Sequence, residues 1–260
     1  MRPILVLLFL SASFAVAQPK PPQKTASASK PYPVWWRYDP HNTKPEDVEA
    51  RLARPFAGVE LDDLRPDPEA ANASAQPDVH NCNELLALIN PNDYQSPNRF
   101  GTRGALAAWC AEVRELGHAI PARRSAIRNI TWTRAVFSLL PAGIYAAESE
   151  ASHLAAVEAG NKGLSLSGYW RGTNRAQINH GFGLDRQTIY VPSHGTGLAD
   201  ADAYIVSAMG DFVGDGWDDI MIEASWGPAD TLYGPKPTIA AYLLTRRSVN
   251  DRFRIVKNIF

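Results

Sequence analysis

The sequence has few of the residues that most directly carry chemistry. It holds two cysteines and six histidines in 260 residues, and no His-x-x-x-His or His-Glu pair is spaced for a zinc site. It also lacks an excess of either charge: Lys plus Arg is 26 and Asp plus Glu is 27, for a formal net charge of -1. That excludes a bulk cationic field able to hold nucleic acid or an anionic membrane. Beyond residue 17 no stretch approaches the roughly 20 apolar residues of a membrane-spanning helix. Glycine (18) and proline (20) supply turns without a collagen period or a low-complexity fibre. Apolar residues make up 45% and charged residues 20%, so the chain reads as globular. Its length suits one large domain or two small ones.

The first segment reads as an address. Arg2 precedes an apolar run from Ile4 to Ala17 that ends in Ala15-Val16-Ala17, a small-x-small pattern for signal peptidase. Residues 1–17 are therefore expected to be a signal peptide, with Gln18 first in the mature chain. The run, at about 14 residues, is too short for a transmembrane anchor. No cysteine follows the cleavage site, so a bacterial lipoprotein anchor is absent. The expectation is a periplasmic or secreted protein with no transmembrane segment in its mature form. In that compartment Cys82 and Cys110 are expected to pair. The bridge would close a loop of about 29 residues, worth roughly 3.5 kcal/mol in the chain-entropy model.

Residues 18–33, rich in Pro, Lys, Ser and Ala, read as a flexible linker. Trp35 and Trp36 read as an arm packing back on the domain. A short helix is expected within Lys44–Phe56, and residues 62–79 read as loop. Asn81, with Glu84 three residues after it, forms a variant capping box for a helix ending near Asn90. Thr102 opens a clearer helix: Leu106, Trp109, Cys110, Val113 and Leu116 share one face, and Gly117 is expected in the left-handed C-terminal position. A further helix is expected over 122–140, with Trp132, Val136, Leu139 and Leu140 inward and Pro141 as its stop. Ser149 would cap a last helix running to Gly160. The hydrophobic period then changes from 3.6 to 2. Strands are expected at 164–170, 177–184, 187–193, 203–210, 219–226, 238–245 and 253–257, with a tight hairpin at Leu184–Gln187. Helices followed by a strand meander make an α+β fold: a mainly helical region carrying the disulfide, residues 34–160, packed on an antiparallel β region, residues 161–260.

Residues 210–220 read Gly-Asp-Phe-Val-Gly-Asp-Gly-Trp-Asp-Asp-Ile. Asp211, Asp215 and Asp219 take positions 1, 5 and 9 of a loop, with Gly216 at position 6. Carboxylates so spaced on a turning backbone converge on one hard cation, and the Trp217 carbonyl can join them. An EF-hand is excluded, because Ile222 stands where its terminal Glu belongs and strands flank the loop. The segment instead resembles the calcium loop of FG-GAP (VCBS) blades, over about residues 203–257. That resemblance implies Ca2+ held by Asp211, Asp215, Trp217 and Asp219. Position 3, Asn or Asp in that family, is Val213, which removes an oxygen and lowers the expected affinity. The loop has no second copy in the chain, so a full propeller is not expected.

Other constellations carry less. Ser193-His194-Gly195-Thr196 resembles a subtilisin-like His-Gly-Thr, but no Gly-Thr-Ser nucleophile motif follows. His153, His180 and His194 read as scattered structural residues. Glu148, Glu150 and Glu158 read as helix surface, although paired carboxylates are the chemistry of glycoside hydrolysis. Arg123, Arg124, Arg128 and Arg134 read as a solvated helix face, with docking of an acidic partner as the functional alternative. The terminal Phe260 is not supported as a barrel signal, because Arg254 and Asn258 break the alternation. Two function classes follow. The first is an exported non-catalytic protein binding another protein or envelope component, of the inhibitor or immunity type by analogy of compartment. The alternative is a cell-wall or polysaccharide hydrolase.

Overall fold

The structure, a computed structural model, describes residues 30–37, 44–56, 79–89, 101–130, 134–146, 149–169, 177–180, 187–192, 201–225 and 240–260. Its elements run β1 (Trp35–Trp36), α1 (Val48–Ala53), α2 (Cys82–Leu88), α3 (Gly101–Leu116), α4 (Arg134–Phe137), α5 (Glu150–Asn161) and α6 (Leu166–Tyr169). The strands β2 (Gln177–His180), β3 (Gln187–Pro192), β4 (Ala201–Gly210), β5 (Asp219–Ser225), β6 (Ala240–Thr245) and β7 (Arg254–Asn258) follow. β2 to β7 pair in sequence order, every pair antiparallel, and β1 adds to the free end of β4 through Trp35↔Met209 and Trp36↔Ala208. The α+β expectation holds, with N-terminal helices that carry a disulfide packed against a C-terminal antiparallel sheet.

Both faces of the sheet are covered, which explains why every residue of β5 is buried. Ala208, Met221, Ala241 and Leu243 pack with residues of α1, α2 and α3. The alternate residues Ile220, Ile222, Tyr242 and Leu244 pack on a second layer that includes Phe137, Leu140, Ile144 and Leu166. Trp36 is fully buried in the first layer, so the paired tryptophans do form an arm that packs on the domain. Phe260 is buried there too, its backbone bonded to Ala241, and is a core residue. The chain divides into Met1–Lys30 and a compact unit, Pro31–Phe260.

Local chemistry sets the helix starts. The Asn81 side chain accepts from the Glu84 N–H at 3.0 Å, and the Glu84 carboxylate in return accepts from Asn81 Nδ2 and the His80 N–H. The Ser149 hydroxyl and Ser152 make a reciprocal cap on α5. Cys82 and Cys110 are bonded, with Cα atoms 5.3 Å apart and both side chains buried, so the bridge ties the first turn of α2 to the middle of α3. Glu115 of α3 accepts from Lys257 of β7 at 2.6 and 2.8 Å.

Three expectations are corrected. Gly117 is not left-handed; α3 ends by tightening, with Gly117, His118 and Ala119 N–H groups bonded three residues back. Lys44 closes that end by donating to the Gly117 and Ala119 carbonyls at 2.9 and 3.0 Å. α5 ends at Asn161, one residue past the expected Gly160, and Gly163 after it is left-handed, at φ +82°. Gly160 meets Gly143, where an added Cβ would lie 2.9 Å from a backbone nitrogen. The helix expected over 122–140 is reduced to α4. Ile120, Ala122 and Arg124 are committed to backbone bridges with Asp211, Tyr32 and Trp217, and the Ser125 hydroxyl captures the Ile127 and Arg128 N–H groups in a turn. Finally, the strand expected at 164–170 contains the helix α6, because the Ser165 hydroxyl accepts from the Gly168 N–H as a helix cap does. Trp132, the 184–187 hairpin and residues 62–78 lie outside the described residues.

Candidate functional site

The acidic loop joins β4 to β5 beyond their last pair, Gly210↔Asp219. Asp211 is buried and turns its carboxylate onto the loop's own backbone. Oδ1 accepts from the Gly214 and Asp215 N–H groups at 2.7 and 3.1 Å, and Oδ2 from Gly216 at 2.7 Å. Gly214 and Gly216, at φ +78° and +85°, let consecutive amides face one anion. Asp215 Oδ1 accepts from the Trp217 N–H at 3.0 Å, and Asp219 Oδ2 from the Phe212 N–H at 3.1 Å.

A cation already stands between the other two carboxylates. Arg247 follows β6, whose last residue, Thr245, is the register partner of Asp219. Its guanidinium reaches back to Asp219 Oδ1 at 3.0 Å through Nη1 and to Asp215 Oδ2 through Nη2. The Asp219 side chain is fully buried, Arg247 is 30% exposed and Asp215 41%. Burial pushes the Asp219 carboxyl up, against the opposing pull of Arg247 and the Phe212 N–H. The loop thus brings Asp215 and Asp219 together on Arg247 and leaves Asp211 on backbone amides. Trp217 takes part through its ring, which lies 4.5 Å beneath the Arg124 guanidinium. Among the described residues no group of three or more His, Cys, Asp or Glu is placed to hold a metal ion.

No family model, curated protein or solved structure matches this chain.

The neighbouring Asp218 completes the lock. It is fully buried and takes a forked bond from Arg128, at 2.7 and 3.2 Å, while the same guanidinium also holds the Pro33 carbonyl. Arg128 therefore belongs to a buried ion pair and not to a solvated helix face. The Asp-Asp doublet at 218–219 was its visible signal. Arg123 and Arg124 remain exposed, and both of their N–H groups donate to the Gly216 carbonyl at 2.9 Å. They flank a depression of about 440 Å3 that also touches Ile120, Asp215 and Gly216. Ile120, 49% exposed, gives this face apolar area.

A second polar cluster was not foreseen. Glu112 of α3 and Glu223 of β5 are both buried, on the side of the sheet that faces α3, near Ser207 and Arg37. Arg37 lies 3.8 Å from Glu223. Burial, and then the Glu223 charge, raise the Glu112 carboxyl well above 4.5. Glu112 falls between Cys110 and Val113 in the helix pattern, and only the three-dimensional packing shows that this position faces inward. Of the other candidates, Glu158 is paired with Lys162 on the α5 surface, as expected of a solvated helix. Ser193, His194 and Glu148 lie outside the described residues, as does the side chain of His180.

Proposed function

We propose that this is an exported, periplasmic or secreted, non-catalytic protein that binds another macromolecule, a protein or other envelope component, in the manner of an inhibitor or immunity protein. In this reading the Asp211–Asp219 loop gives shape, and the face around it makes the contact. The observation that carries the reading is the disposition of charge. Asp211, Asp218 and Asp219 are spent internally, on backbone amides, Arg128 and Arg247. Arg123 and Arg124 project from an anchored backbone beside Ile120. Cations next to apolar area suit an acidic protein surface, and the Arg124 guanidinium, stacked on Trp217, has little freedom left to lose on binding. Calcium enters this proposal as a competitor of Arg247 for Asp215 and Asp219.

The test is retention of a purified, identified partner by the mature protein and by an Arg123→Glu/Arg124→Glu double variant. The partner is first captured from envelope extract and then rebuilt from pure components. Loss of at least about tenfold in affinity, equal to about 1.4 kcal/mol, with an unchanged melt supports the face. Equal binding by the double variant contradicts it.

One observation favours the hydrolase as a second reading. Two adjacent carboxylates of which one is raised are the arrangement that splits acid from base roles. Glu112 and Glu223 are 1% and 3% exposed, and neither lines the depression beside Arg123 and Arg124. Release of product from peptidoglycan or a polysaccharide by the wild type, and its loss in Glu112→Gln, would establish the enzyme.

A further inference from the structure

Arg51 and Arg54 stand at the end of α1, and neither has a carboxylate partner among the described residues. Arg51 is instead held by aromatic rings. Its guanidinium carbon lies 4.6 Å from the Trp36 ring centre and 5.8 Å from that of Trp109. A guanidinium held by its face keeps its in-plane N–H groups free to fork onto a carboxylate. Beside it opens a cleft of about 280 Å3, walled by Arg51, Arg54, Pro55, Phe56, Leu106 and Trp109.

The cleft is fixed from several directions. Cys82 completes the lining, and its bond to Cys110 joins α2 to the residue next to Trp109. The Phe56 N–H donates to the His80 carbonyl at 2.8 Å, which sets the chain that follows α1 against the start of α2. Trp36, on which Arg51 rests, is itself fully buried and paired with Ala208 in the sheet.

Aromatic and aliphatic walls reward burial of one large apolar group, and two cations at the rim call for an anion attached to it. At about 280 Å3 the cleft has room for one large side chain with its carboxylate. We propose that this cleft binds the C-terminus of a peptide, taking an apolar last residue between Phe56, Leu106 and Trp109 and its terminal carboxylate on Arg51 and Arg54. This site is independent of the loop face, and its test uses no residue of that face.

The experiment titrates the disulfide-intact protein with acetyl-Ala-Ala-Phe, as free acid and as C-terminal amide, up to about 10 mM while following tryptophan fluorescence and amide chemical shifts. Acetyl-phenylalanine alone serves as the single-residue arm. The expected result is saturable binding of the free acid, at least about tenfold weaker binding of the amide, and a similar loss in Arg54→Gln. Arg54 is exposed, so this variant should keep the wild-type melt; Arg51→Gln gives the second, more deeply placed test. No saturable binding of the acid, equal binding of acid and amide, or wild-type affinity in both arginine variants would each overturn the site. Acetyl-phenylalanine carries both recognised groups and is expected to bind within about tenfold of the tripeptide; its failure to bind where the tripeptide saturates would overturn the assignment to a last residue held by ring and carboxylate.

Discussion

Arg247 shows how one side chain changes the meaning of a motif. Asp211, Asp215 and Asp219 are spaced for a cation, and Val213 stands where another oxygen donor would be. The structure answers both facts with a guanidinium from the next hairpin. The two ends of that bridge differ in burial, and the cost of cutting them should differ accordingly. Arg247→Ala leaves the buried Asp219 without its cation and should cost about 1–3 kcal/mol, the lower part of the range for a broken buried pair because Arg247 itself is partly exposed. Asp215→Ala removes a half-exposed partner and should cost less than about 1 kcal/mol. Denaturant unfolding of both variants checks the asymmetry; equal costs would contradict it. Glu112 makes a second residue-scale prediction. Its folded carboxyl is raised by burial, so its contribution to stability is complete below about pH 4.5 and is lost as pH rises through the raised value. Glu112→Gln should therefore melt about 2–4 °C higher at pH 7, the shift that about 1 kcal/mol produces at this size, and lose most of that advantage at pH 4. A variant less stable than wild type at pH 7 would show that the charge is stabilising.

At the scale of elements, α3 is the piece through which the layers communicate. It carries Cys110 toward α2, Glu112 toward the sheet and Glu115 toward Lys257. Removing the bridge with Cys82→Ser/Cys110→Ser should cost about 2–4 kcal/mol, since the unfolded chain regains the freedom of a closed loop. Comparison of melting temperatures checks this, and an unchanged melt would show that burial alone holds α2 on α3. Elements governed by their own residues were legible in the sequence: the Asn81 and Ser149 caps, the Cys110 stripe, and the strands on both sides of the acidic loop. Elements governed by distant partners were not. The helix expected over 122–140 is one case: around its start the amides and carbonyls of residues 120–124 pair with Asp211, Tyr32, Gly216 and Asp218. The loop was legible as an acidic turn. Arg247 was not, because nothing in a sequence of strands states which arginine of the following hairpin reaches back. In the reverse direction, Ser165 overrode an alternating pattern with a single hydroxyl.

The described residues of the larger unit form a seven-stranded antiparallel sheet, packed on both faces at β4 to β6, and the acidic loop is closed from within. At the loop the charges are sorted: Asp211, Asp218 and Asp219 are buried and bonded internally, Arg123 and Arg124 stay exposed beside one depression, and Arg51 and Arg54 line a separate cleft. That distribution is what the binding proposals use. The loop-face proposal rests on Arg247 supplying the positive charge of the 211–219 loop. The direct measurement is thermal unfolding of the wild type and of Arg247→Ala, each after thorough chelation and again at about 5 mM calcium, above the weak end of the range for extracellular calcium sites. The account predicts a wild-type melt that calcium leaves unchanged, a lower melt for Arg247→Ala in chelator, and recovery of part of that loss when calcium is added. A wild-type melt that rises with calcium, together with an Arg247→Ala melt that matches wild type in chelator, would contradict it.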